Sequence, residues 1–204
     1  MDKTDKICIA GSLGLMSSAL QRILSSQGYG RIFILNSNEF NLLDNEAVAD
    51  FFNSEKPDYV FLPSYKSGSI QENINHPAEF IYENLTVQNN IIHNAYLNKV
   101  KKLLFIAASW KKKKNSLQPI KEEYLLSGDL EPTSESYATA KIAGIKMCQA
   151  YNKQYATKFI SIVPATLYGP DDEFNLDKSH VLSAMIRKFH EAKINNQKEV
   201  ILWG

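Results

Sequence analysis

Short apolar runs alternate along this chain with longer stretches whose apolar positions recur every three or four residues. The short runs predict strands at Ile7–Ala10, Arg31–Leu35, Tyr59–Leu62, Lys102–Ala107, Phe159–Val163 and Val200–Trp203. The longer stretches predict helices at Met16–Gln27, Glu46–Ser54, Pro77–Leu97, Ser136–Tyr155 and Val181–Ala192. Strand followed by helix, repeated this way, predicts an α/β fold: a parallel sheet covered by helices on both faces. No internal repeat, low-complexity linker or composition break divides the chain, so one domain spanning residues 1–204 is expected.

Composition narrows the classes of function. At 204 residues, 44% of them hydrophobic, the chain is long enough for one sizeable core. Lys plus Arg number 23 against 22 acidic residues, which offers no general attraction to nucleic acid or to a membrane surface. The run Lys111–Lys114 reads as a solvated loop or a local anion contact. Cys8 and Cys148 sit in apolar periodic segments and read as small buried hydrophobes, not a disulfide framework. The amino-terminal segment lacks the apolar core of a signal peptide, and no apolar run reaches membrane-spanning length. A soluble cytoplasmic protein with no metal site is expected.

Two patterns carry chemistry. The run Ile7–Ala10 leads into Gly11-Ser12-Leu13-Gly14 and then a predicted helix that includes Ser17. A glycine turn between the first strand and the first helix lets backbone amides approach a pyrophosphate, although two glycines at this spacing also make a plain tight turn. The second pattern is Tyr137 and Lys141, four residues apart and so on one face of a helix. An ammonium beside a phenol favours the phenolate, which predicts a lowered tyrosine pKa and a group able to exchange a proton with a carbonyl or alcohol. The plain alternative is a helix pattern without chemistry.

Together with Asn41–Asp44, Ala78–Asn84, Asn90–His93, Lys102–Phe105, Leu167–Pro170, Ser179-His180 and Trp203-Gly204, these segments resemble the extended short-chain dehydrogenase/reductase family, and within it the GDP-L-fucose synthase branch. The matches are collinear and cover essentially the whole chain. The resemblance implies a Rossmann-like, doubly wound parallel sheet. It also implies epimerisation of a GDP-linked keto-deoxy sugar beside its ketone, followed by reduction of that ketone with NADP(H); NAD(H) is not excluded. By resemblance Tyr137 is the proton donor, Lys141 lowers its pKa and holds the nicotinamide ribose, and His180 is an acid/base group of epimerisation. Gly11, Ser12, Leu13, Gly14, Ser17, Ser37, Lys141, Pro164, Ala165, Thr166, Leu167 and His180 match cofactor-lining positions. Lys188 and Trp203 match substrate contacts. His180 is equally expected as a cap of the helix that follows it, and Trp203 as a core residue.

The departures concentrate at the chemistry. The family's catalytic serine aligns with Ala108, whose methyl donates no hydrogen bond. Ser109 is adjacent, but neighbours on an extended segment face opposite sides unless the chain kinks. The family's acid/base cysteine aligns with Trp110, and indole exchanges no proton near neutral pH. Leu13 and Ser37 stand where arginines grip the adenosine 2′-phosphate, Ser17 where a third glycine stands, and Pro63-Ser64 where small alanines are usual. Lys188 replaces a substrate-binding arginine and cannot reproduce its planar, bidentate grip. The chain also stops where the family continues into a carboxyl-terminal substrate lobe.

Three functions follow as expectations. One is an impaired epimerase/reductase of the GDP-L-fucose synthase type. Another is a non-catalytic member that homodimerises, or pairs with a paralogue, through Pro77–Leu97 and Ser136–Tyr155, the first of these being apolar on more than one face. The last is one piece of a split enzyme.

Overall fold

The computed structural model describes residues 1–36, 39–108, 121, 128–176 and 178–202. The expectations that rest on Ser37, Ser109, Trp110, Lys111–Lys114, Trp203 and Gly204 lie outside the described residues. Five parallel strands, β1 (Ile7–Gly11), β2 (Ile32–Asn36), β3 (Tyr59–Leu62), β4 (Lys102–Ile106) and β5 (Phe159–Ile162), stand in the order β2-β1-β3-β4-β5. Helices α1 (Leu15–Ser26), α2 (Asn45–Glu55), α3 (Ile70–Asn75), α4 (Pro77–Leu97), α5 (Glu135–Tyr155) and α6 (Val181–Ile194) fall between and after them. No described helix is long and apolar enough to cross a membrane.

The period-two alternation of each strand decides which helix it meets. On β1, Ile7 and Ile9 pack with Leu24 and Leu20 of α1 on one face. Cys8 and Ala10 join Val48 and Phe52 of α2, Val87 and Ile91 of α4, and Ile145 and Cys148 of α5 on the other. All five residues of β1 are buried because both faces are covered. Cys8 and Cys148 are free and buried, as the periodicity predicts. Burial pushes the Cys148 thiol up to about 11.

The predicted boundaries hold to within one or two residues for these five strands and for the five long helices. Three differences stand out. The short helix α3 and a 3-10 turn at Pro132–Ser134 are additional. The predicted strand at Val200–Trp203 is absent over Val200–Leu202; the Ile201 carbonyl there accepts a bond from the Lys188 amine (3.2 Å).

Two motif segments turn out to be scaffold. Asp44 caps α2, its carboxylate accepting the Glu46 and Ala47 amides at 2.9 and 3.3 Å. Asn84, buried on α4, donates to the carbonyls of Phe80 (2.8 Å) and Lys66 (3.0 Å), tying down the loop after β3.

Helix α5 lies unusually close to β4 at Gly144. A Cβ there would meet Phe105 Cζ at 2.4 Å and Gln88 Oε1 at 2.8 Å. Phe105 is fully buried, so the ring has little room to retreat. Helix propensity alone favours alanine over glycine by about 1 kcal/mol, whereas overpacking costs about 1–3 kcal/mol. Gly144→Ala is therefore expected to lower stability, read as a reduced denaturant midpoint; a raised midpoint would show that the contact yields freely.

Candidate active site

In a sheet of this order the chain leaves β1 toward β2 on one side and returns to β3 on the other. The carboxyl ends of β1 and β3 therefore border a crevice at the point where the winding reverses, the usual ligand position in open α/β sheets. Gly11 closes β1 at this edge. Ser12 donates its N–H (3.2 Å) and its hydroxyl (3.0 Å) to the carbonyl of Ser64, just beyond β3. A Cβ at Gly11 would press on that same carbonyl at 3.1 Å, so a larger residue there would push the two strand ends apart by a few tenths of an ångström.

Gly14 is the N-cap residue of α1 and brings no capping side chain, which leaves the first amides of the helix without a side-chain acceptor. Around Gly14 the nearest atom that an added Cβ would meet is the Asp171 carbonyl, at 3.9 Å. Ser17 is buried and its hydroxyl donates to the Ser12 carbonyl (2.8 Å), so the serine in place of a third glycine braces the turn. Uncapped helix amides behind a tight glycine turn fit a pyrophosphate. Leu13 is half exposed and offers no charge to a further phosphate.

Tyr137 lies in the first turn of α5 and Lys141 one turn later, as the spacing predicts. The Tyr137 hydroxyl is 2.8 Å from the Ser64 hydroxyl, and its ring meets Phe80 edge-on at 6.2 Å. The Lys141 amine points inward, donating to the Ile106 carbonyl at the end of β4 (3.1 Å). It stands 4.9 Å from the Phe105 ring centroid and 5.7 Å from that of Tyr137. Lys141 is only 2% exposed.

This corrects the expected electrostatics. Burial pushes the Lys141 amine down to about 7, which disfavours the ammonium that the spacing had suggested. Burial also raises the Tyr137 phenol above its ordinary value, the Ser64 hydroxyl drawing it part of the way back. The pair is together, but its phenol is not kept acidic by the amine in this state.

The remaining predicted residues are more scattered. Pro164, Ala165, Thr166 and Leu167 run from the end of β5, half-buried at Pro164 and exposed beyond it. His180 occupies the N-cap position of α6 but is exposed and makes no capping bond, so the capping expectation fails there. Lys188 lines an open concavity of about 740 Å³ with Glu191, Glu199 and Ile201. Neither Tyr137 nor Lys141 lines that concavity. Ala108 follows β4, half-buried. Ser64 is the site residue that sequence reasoning passed over, noting it only as a departure; serine two residues beyond a strand carries no periodic signal.

A parallel α/β sheet with a glycine turn after its first strand and a tyrosine–lysine helix beside the same crevice defines a Rossmann-like, dinucleotide-binding class of fold. Residues 7–204 match the NAD dependent epimerase/dehydratase family, and the chain belongs to it. It is 47% identical over 199 residues to the GDP-L-fucose synthase of Escherichia coli (strain K12), covering 98% of this chain and 62% of that protein. GDP-L-fucose synthase 1 of Arabidopsis thaliana is 49% identical over 203 residues, covering 100% of this chain and 63% of that protein. A GDP-mannoheptose C4 reductase from Campylobacter jejuni, solved with NADP bound, superposes with a TM-score of 0.87 at 45% identity, covering 95% of this chain and 57% of that one. The chain thus spans about three-fifths of the length of these relatives.

The buried amine makes a thermodynamic prediction. Its folded pKa lies below the unfolded value of 10.5, so between about 7 and 10.5 the unfolded chain holds the extra proton. Stability from this group is therefore full above that window and lost as pH falls through it. In Lys141→Met the window disappears, while Cys8 and Cys148 titrate alike in both proteins. The unfolding free energy of the wild type, relative to Lys141→Met, should rise by about 1 kcal/mol per pH unit from about pH 7.5 to 9.5. A flat difference would mean that Lys141 is not desolvated.

Proposed function

We propose that this chain is a GDP-sugar ketone reductase that uses NADP(H) and lacks the epimerase half of the GDP-L-fucose synthase reaction. The observation that carries this is Tyr137 and Lys141 together beside the crevice at the carboxyl ends of β1 and β3, with Ser64 linking the phenol to the glycine turn. The relatives named for GDP-L-fucose synthesis and for reduction of a GDP-linked heptose support the substrate class, and the NADP-bound reductase supports the cofactor. Trp110 in place of the acid/base cysteine argues against epimerisation.

Gly11, Ser12, Gly14 and the first amides of α1 would hold the pyrophosphate, and Lys141 would reach the nicotinamide ribose only by turning away from the Ile106 carbonyl. When bound, the cofactor supplies a hydride to the carbonyl carbon. Tyr137 keeps its proton across the physiological range because burial raises its pKa, and gives it to the carbonyl oxygen, completing the alcohol. The phenolate left behind is stabilised by the hydroxyl of Ser64 and by whatever charge Lys141 carries. Leu13 contributes nothing to recognising a 2′-phosphate, so discrimination between NADP(H) and NAD(H) is expected to be weak.

A second reading is favoured by apolar side chains exposed on two elements. Ile160 and Ile162 on β5, an edge strand of the described sheet, are exposed, and so are Val181, Ile186 and Phe189 of α6. Apolar exposure of this kind suits a partner chain, either a separately supplied substrate lobe or a paralogue.

Incubation with NADPH and a GDP-linked 4-keto-6-deoxy sugar in deuterated water tests the first reading. Oxidation of NADPH is expected, with a loss of at least about a hundredfold in Tyr137→Phe and no deuterium entering the carbons beside the ketone. Turnover equal to that of Tyr137→Phe, or deuterium at those carbons, would contradict it.

A further inference from the structure

Ser64 occupies an unusual junction. It is 4% exposed, and its carbonyl takes both donors of Ser12, in the glycine turn. Its hydroxyl lies 2.8 Å from the Tyr137 hydroxyl, on a helix that begins 71 residues later in the chain, at Glu135. Pro63 before it fixes one backbone angle and so stiffens its approach. The pairing register between β3 and β4 sets Leu62 beside Phe105. Two residues further on, Ser64 comes level with Ala107, one short of Ala108. The hydroxyl missing from the end of β4 thus has a counterpart on the neighbouring strand end.

We propose that Ser64 is the positioning residue for the Tyr137 hydroxyl, supplying from the end of β3 the hydroxyl neighbour that Ala108 does not supply at the end of β4. The inference rests on the reductase reading, in which Tyr137 is the acid. A serine hydroxyl is both donor and acceptor and rotates about its C–O bond. By donating to the Tyr137 oxygen, Ser64 leaves the phenol's own O–H free to face a substrate carbonyl, and the same bond strengthens once that proton has left and the oxygen is charged. Because the Ser64 carbonyl is bonded to Ser12, a ligand that shifts the glycine turn also shifts the partner of the acid. The hydroxyl of Ser17 on the Ser12 carbonyl extends the same chain of contacts into α1.

The test uses 3-fluorotyrosine incorporated throughout the full chain, whose phenol ionises at lower pH and is read by fluorine NMR. The Tyr137 resonance is assigned by its loss in Tyr137→Phe, and the other nine of the ten tyrosines serve as internal controls. Ser64→Ala should move the Tyr137 ionisation midpoint upward by ~0.5 pH unit or more, consistent with the loss of one hydrogen bond to the charged form. Ser64→Thr should return it toward the wild-type value. Ser64→Cys, similar in size and a weaker donor, gives the same upward shift if the alanine variant does not fold. Kinetically, Ser64→Ala should lower kcat about tenfold or more, with KM changed less than about twofold. An unmoved midpoint in Ser64→Ala, with Tyr137→Phe still inactive, overturns the role of Ser64 and leaves the reductase reading intact. Wild-type turnover in Tyr137→Phe removes the reductase reading, and the proposal with it.

Discussion

The site is organised around a lysine that has been taken out of water. Among the described residues Lys141 donates to the Ile106 carbonyl, and it shares a small enclosed space with Leu62, Val87 and Phe105 and with the polar side chains of Asn84 and Gln88. Burying an ammonium with one neutral partner is costly, and the group responds by giving up its proton near neutrality. A strongly perturbed titration beside a crevice makes such a group a candidate functional position. In this chain Tyr137 shares the effect: burial holds its proton on, the form a general acid needs.

What lets α5 bring both groups to the strand ends is close packing. Gly144 admits the Phe105 ring where any larger residue would press on it, and Phe105 in turn forms one wall beside Lys141. Gln88 of α4 donates to the Ala140 carbonyl at 2.8 Å, fixing α5 one residue before the lysine. The position of Tyr137 is therefore set by the α4–α5 pair and β4, while the glycine turn is set by β1. Ser64 joins the two halves through one side-chain bond and one backbone carbonyl.

Much of this was legible in the sequence, for identifiable reasons. The unbroken apolar runs Ile7–Ala10 and Tyr59–Leu62 report a sheet covered on both faces, and the 3.6-residue pattern of Pro77–Leu97 survives because its apolar positions meet one large core cluster. The four-residue spacing of Tyr137 and Lys141 placed them on one turn. Their protonation was not legible, because spacing says nothing about which way an amine points; the Ile106 carbonyl, not the phenol, takes the Lys141 hydrogen bond. The contacts of Ser64 were not legible because they depend on strand order, which puts residues 12, 64 and 137 at one edge. Val200–Leu202 reads as a strand by composition, yet a strand exists only where a neighbour supplies its hydrogen bonds.

The most direct test is carbon-13 NMR of the chain labelled at lysine Cε, titrated from acid to alkaline pH, with Lys141→Met identifying the resonance. The structure predicts a midpoint at about 7 for Lys141, far below the ordinary lysine value. A Lys141 signal that titrates with the ordinary lysines, near 10.5, would contradict the burial on which the whole arrangement rests.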